Sequence, residues 1–159
     1  MATFNTATRV VTIEAEPLTP EAFAPFGKVL DESRFILASN EFPFFANLVT
    51  LRPSTEDVTY VNRHHDHNQI FASIGGDPMV VIVADPRLPG DGFDPTKIRA
   101  FKTDGNAAIV FHVDTWHLAP RGVGNQTARA LNVQAINNDV HTERIELADV
   151  AGCVVRIAT

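Results

Sequence analysis

The sequence is cut into short β-prone runs by turn chemistry, and it carries no long amphipathic helix. RVVTIEAE, FFANLVTLR, DVTYVNR, QIFASI, MVVIVAD, IRAFKT, AAIVFHV, ARALNVQAI and CVVRIAT are rich in β-branched and aromatic residues. Between them stand Gly75-Gly76-Asp77-Pro78, Pro89-Gly90-Asp91-Gly92, Asp104-Gly105-Asn106 and the two-glycine stretch from Arg121 to Asn125. Many short strands divided in this way predict an all-β sandwich or barrel and argue against a doubly wound α/β fold. One short helix is predicted, from Pro20 to Pro25: Thr19 caps it, Pro20 suits its first position, Glu21 favours its positive end and Gly27 stops it. Asp85–Thr96, with three prolines and two glycines, predicts a surface loop.

A length of 159 residues suits one domain, 1–159, with a real core. A net charge of −6 leaves no basic stripe for nucleic acid. The longest apolar run, Met79–Ala84, is far too short to span a bilayer as a helix. The start, MATFNTATRV, lacks the basic end and apolar core of a secretory signal, so the expectation is a cytoplasmic protein with no membrane partner. The single cysteine, Cys153, has no second thiol in the chain to pair with, which fits a reducing compartment. It adjoins Gly152 and Val154 with no basic neighbour, and so reads as a small core residue, not a nucleophile.

The chemistry-bearing residues gather in two places. VNRHHDHNQIF, residues 61–71, holds three of the six histidines. If it is a strand, Asn62 and His64 share one face while Arg63, His65 and His67 share the other, and the register is open. FHVDTWHLAP, residues 111–120, places His112 and His117 around Asp114 and Trp116. Any one of these histidines reads as a hydrated surface residue, as His141 does in DVHTERIE. Two His-bearing segments at strand ends together read as a site in a closed β fold.

These segments, with PLTPEAFAPFGKVLD (17–31), RHHDHNQIFASIGGDPMVVIVAD (63–85) and IRAFKTDGNAAIVFHVDTWH (98–117), resemble the ureidoglycolate lyase family, formerly called ureidoglycolate hydrolases. The resemblance implies a cupin-like double-stranded β-helix, or jelly-roll barrel. It implies an amidine-lyase-type carbon–nitrogen cleavage of ureidoglycolate to glyoxylate and urea, in allantoin and purine nitrogen catabolism. Cupins usually hold a metal through H-x-H-x(3-4)-E and a later histidine. Counted back from Gln69, that pattern implies Asn62, His64, Gln69 and His117 as the ligand set for a divalent metal, nickel or manganese. The alternative set is His65, His67 and His117. Family members usually carry Glu at Asn62, Pro at His65, Gly at His67 and His at Leu118, and their Asp-Arg-Gly stretch has no clean counterpart in QAINND, 134–139.

The implied chemistry needs a base for the substrate hydroxyl and an acid for the departing nitrogen. His117 or His112 is the expected base, His64 its partner and Gln69 the orienting group. Arg63 and Arg99 are the expected carboxylate holders, because guanidinium binds carboxylate bidentately, and Trp116 lines the site. The expected partner is a small-molecule carboxylate. A homodimer is expected, with TRVVTIEA pairing across it. Two other readings stay open: a hydroxy-acid or sugar-acid binding cupin without lyase activity, and a metal-dependent cupin isomerase or dioxygenase using His65, His67 and His117.

Overall fold

MVVIVA, the run Met79–Ala84, organises the molecule. Each of its six residues is fully buried. A strand with no polar alternation must be covered on both faces, and this one divides two cores. Val80, Ile82 and Ala84 pack with Ile98, Trp116, Leu147, Cys153 and Val155. Met79, Val81 and Val83 pack with Phe23, Phe71, Phe101, Ile109, Phe111 and Ala130.

The computed structural model describes residues 8–38, 41–85, 93–136 and 141–159. In chain order its strands are β1 (Arg9–Pro17), β2 (Gly27–Val29), β3 (Phe44–Leu51), β4 (Tyr60–His64), β5 (Gln69–Ile74), β6 (Met79–Ala84) and β7 (Ile98–Lys102). They continue as β8 (Ala108–Phe111), β9 (Trp116–His117), β10 (Arg121–Gly122), β11 (Ala128–Ala135), β12 (Thr142–Glu146) and β13 (Cys153–Ala158). Two short helices, α1 (Pro20–Phe23) and α2 (Leu147–Ala151), and a 3-10 turn, Pro95–Lys97, complete the described elements.

Two sheets result among the described residues. The larger runs β12-β4-β9-β6-β7-β1-β13 with β10 attached to β6, and the smaller runs β2-β8-β5-β11-β3. A bridge between Val58 and Val155 brings β13 back towards the start of β4, so the larger sheet curls around the first core. The second core draws residues from both sheets and lies between them. The fold is therefore all-β, as the turn-punctuated sequence predicts. No helix of the described residues is long and apolar enough to cross a membrane.

α1 forms where expected, though it ends at Phe23, with the Thr19 hydroxyl accepting from the Ala22 N–H at 3.2 Å. It drives Phe23 into the second core. Gly27 follows because nothing larger fits: a Cβ there would lie 2.1 Å from the Val110 carbonyl oxygen. β2, β9, β10, β12 and α2 carry little propensity signal. They are two to five residues long and exist through tertiary pairing. Within the chain, β1 pairs parallel to β13 through Arg9–Glu14 and parallel to β7 through Ala15–Pro17. Of the expected loop Asp85–Thr96, residues 86–92 lie outside the described residues, as do 137–139 of QAINND. Pro95–Lys97 forms a single 3-10 turn capped by Asp94.

Candidate active site

Asn62 of β4 pairs with His117 of β9. Alternation along each strand then decides which side chains meet. Tyr60, Asn62 and His64 fall on the side of His117, whereas Val61 and Arg63 fall on the side of Trp116. The first set lines a cavity of about 420 Å³, closed by Gln69, Ala119, Gln134, Thr142 and Arg144. A wider cleft of about 650 Å³ adjoins it, sharing Tyr60, Gln69, Ala119 and Gln134 and adding Asn132 and Arg121.

The floor of the cavity is a polar chain, buried at His64, Gln69, His117 and Asn132 and reaching the surface at Asn47. The Gln69 side-chain amide lies 3.1 Å from His64 Nε2 and 3.0 Å from His117 Nε2. Its other end lies 2.8 Å from the Asn132 amide, which lies 3.0 Å from that of Asn47. The outer nitrogens of the imidazoles are also held: His64 Nδ1 is 2.8 Å from Thr142 Oγ1, and His117 Nδ1 is 2.8 Å from the Thr115 carbonyl oxygen. The His117 ring stacks on Phe111 with centroids 4.3 Å apart. Burial lowers the His64 pKa to about 4, with further lowering by the nearby His67. Burial lowers His117 to about 3, with His64 adding to it. Both imidazoles are therefore neutral at physiological pH.

Arg144 supplies the cavity's positive charge. Its guanidinium lies 3.5 Å from the centre of the Tyr60 ring, and it donates to Glu146 through Nε at 2.7 Å. Five N–H donors leave it more to offer a ligand. In the adjoining cleft the buried Arg121 donates to Glu56 at 3.2 Å.

The other sequence candidates lie elsewhere. Arg63 is over the Trp116 ring at 4.3 Å and 2.7 Å from Glu143, on the far side of β4 from the cavity. Trp116 is fully buried in the first core. Arg99 binds Glu16 at 2.6 Å beneath α1. His112 is exposed and donates from Nε2 to the Ala24 carbonyl at 3.2 Å. His65 is bridged on the surface by Asp114 at 2.6 Å and Glu143 at 3.1 Å. His67 is buried in the turn after β4, with Nδ1 2.8 Å from Asp66. Asp114 adopts a left-handed φ of 67°, and its N–H donates to the His64 carbonyl at 2.8 Å, tying the two His-bearing segments together.

Tyr60, Arg121, Asn132, Gln134, Thr142 and Arg144 are absent from the sequence-based candidates. One signal for two of them existed: Asn132 and Gln134 interrupt the inward face of β11 that Ala128 and Ala130 begin.

The residues present do not fit a divalent metal. Among the described residues no three His, Cys, Asp or Glu side chains are grouped to hold an ion. No carboxylate lines the cavity, while Arg144 does. His67 Nε2 is buried without a hydrogen-bond partner, but its ring is stacked on His64 at 4.5 Å and 23°. In-plane lone pairs of two nearly parallel rings at that spacing do not meet at one ion.

An all-β fold whose cavity holds paired neutral imidazoles, amides and an arginine has the groups to bind a small polar molecule. The model of the family described as ureidoglycolate lyase matches residues 42–150. A ureidoglycolate lyase of Pseudomonas fluorescens (strain Pf0-1) is 30% identical over 128 residues, covering 67% of this chain and 74% of its own length. One from Brucella anthropi is 30% identical over 129 residues, covering 68% and 74%. A solved dTDP sugar isomerase from Desulfovibrio desulfuricans G20 superposes with a TM-score of 0.48 and 19% identity, over 73% of this chain and 69% of its own. The chain belongs to the ureidoglycolate lyase family.

Proposed function

We propose that this protein is a carbon–nitrogen lyase of the amidine-lyase type that cleaves ureidoglycolate to glyoxylate and urea, serving purine nitrogen catabolism from allantoin. The observation that carries the reading is the convergence of two buried imidazole Nε2 atoms, 3.0 and 3.1 Å from one amide, in a cavity that also holds Arg144. The family membership supports it.

In the substrate one carbon bears a hydroxyl, a ureido nitrogen and a carboxylate. Cleavage removes the hydroxyl proton, forms the carbonyl of glyoxylate, breaks the C–N bond and returns one proton to the departing nitrogen. Arg144 holds the carboxylate. Gln134 and Asn62 face the ureido group with amide donors and acceptors. His64 or His117 takes the hydroxyl proton. A buried imidazole with a pKa of about 3 or 4 is a reluctant base, but its imidazolium is a strong acid. The harder task is protonating urea nitrogen as it leaves, and a strong acid suits that task. No step is assigned to a metal, since the residues do not fit one. A cytoplasmic homodimer belongs to the same proposal.

The test is to mix purified protein with ureidoglycolate and follow glyoxylate and urea together, before and after chelation. Equal release of both products, unchanged by chelation, is expected. Activity lost on chelation and restored by nickel or manganese would refute the metal-free reading. The lack of any cavity carboxylate favours one second reading, a hydroxy-acid binder without turnover; tight binding with no product would establish it in place of the lyase.

A further inference from the structure

The Gln69 amide faces two imidazoles at once, and proton counting decides which end it shows them. His117 Nδ1 is 2.8 Å from a carbonyl oxygen, which only accepts, so Nδ1 carries a hydrogen. His117 is 2% exposed, and no carboxylate lines its cavity to support a second proton. Its Nε2 is therefore a bare lone pair. An amide oxygen 3.0 Å from that lone pair would set acceptor against acceptor, so the group facing it is the Gln69 NH2.

The same NH2 has a second hydrogen, and His64 Nε2 lies 3.1 Å away to accept it. His64 is then also protonated at Nδ1, which donates to Thr142 Oγ1 at 2.8 Å. With its nitrogen spent on the histidines, Gln69 turns its oxygen to residue 132. The amides are placed the other way round, with Gln69 Nε2 donating to Asn132 at 2.8 Å and Asn132 Nδ2 donating to Asn47 at 3.0 Å; turning all three over makes Asn132 the donor to Gln69 and Asn47 the donor to Asn132 at the same separations. Asn132 and Asn47 are directly opposite one another on β11 and β3. Every group in this chain is satisfied with no net charge, whereas the reverse polarity leaves one acceptor pair opposed.

We propose that Asn132 and Asn47 are positioning residues: through a chain of side-chain amides of fixed polarity they hold Gln69 so that His64 and His117 both stand as Nδ1–H tautomers with Nε2 lone pairs turned to the Gln69 amide at the cavity floor. The Gln69 N–H donors then occupy both Nε2 lone pairs, and a substrate O–H reaches either imidazole by displacing that amide. Their importance to turnover rests on the lyase reading above; the tautomers do not.

The experiment is long-range ¹H–¹⁵N correlation of ¹⁵N-histidine-labelled protein at pH 7.5. His64 and His117 should each show Nδ1 as the protonated nitrogen and Nε2 as the unprotonated one. Protonated Nε2 at either residue overturns the proposal. In Asn132→Asp the new carboxylate only accepts, so Gln69 must turn its nitrogen to it and its oxygen to the imidazoles. His64 should then switch its proton from Nδ1 to Nε2, and a folded N132D in which it does not switch overturns the relay. Should N132D fail to fold, Gln69→Glu presents an acceptor to the imidazoles directly and must give the same switch, with its absence equally decisive. Because the readout needs no turnover, a negative lyase assay leaves this result standing or falling by itself.

Discussion

Acid should destabilise this fold well before its carboxylates titrate. In the unfolded chain His64 and His117 have an ordinary pKa of 6.5; in the folded protein burial lowers them to about 4 and about 3. Folded-state pKa values below the unfolded ones mean that the unfolded chain binds more protons as pH falls. The stability is fully present above pH 6.5 and is lost as pH drops towards the folded values. At pH 5 both imidazoles are protonated in the unfolded chain and neutral in the fold, which costs about 2 kcal/mol for each and about 4 kcal/mol together. With a urea m-value of about 2 kcal/mol/M, the midpoint should fall by about 2 M between pH 8 and pH 5. Trp116, the single tryptophan and fully buried, reports the transition by fluorescence. The control is the double variant His64→Gln/His117→Gln. Every other titrating group is common to both proteins, so the double variant should lose about 4 kcal/mol less over the same pH interval. Parallel losses in the two proteins, agreeing within about 1 kcal/mol, would show that burial does not keep these imidazoles neutral.

Four further outcomes are expected. Arg144→Ala should raise KM for ureidoglycolate by about 10- to 100-fold with a much smaller change in kcat, as steady-state kinetics will show, because one charge-assisted contact to the carboxylate is lost. Arg63→Ala should leave KM unchanged and instead lower unfolding free energy by about 1–2 kcal/mol in urea titrations, since its guanidinium covers Trp116 and pairs with Glu143. His117→Ala should reduce kcat by about 10²–10⁴-fold in the two-product assay if it carries the proton. Gly27→Ala should lower Tm in a thermal melt through about 1–3 kcal/mol of overpacking, because the methyl would meet the Val110 carbonyl at 2.1 Å.

The all-β class followed from local chemistry. β-branched and aromatic runs cannot extend through Gly-Gly-Asp-Pro or Asp-Gly-Asn, and MVVIVA had to be buried on both faces because it has no polar side to expose. The two histidine segments also stood out locally, and strand alternation paired Asn62 with His64 and set Arg63 apart. Alternation sorts side chains into two sets without saying which set faces the cavity. That was decided by the register of Asn62 against His117, which turned Arg63 onto Trp116 and left Arg144 at the cavity wall. His64 and His67 are three positions apart in sequence, yet β4 ends between them, so one enters the site and the other packs in a turn. The amide chain was least visible of all. Asn47, Gln69 and Asn132 belong to three strands of the smaller sheet, and only the pairing of β11 between β5 and β3 brings them within hydrogen-bond reach, because a chain of contacts between residues far apart in sequence is a property of strand order, not of any local pattern.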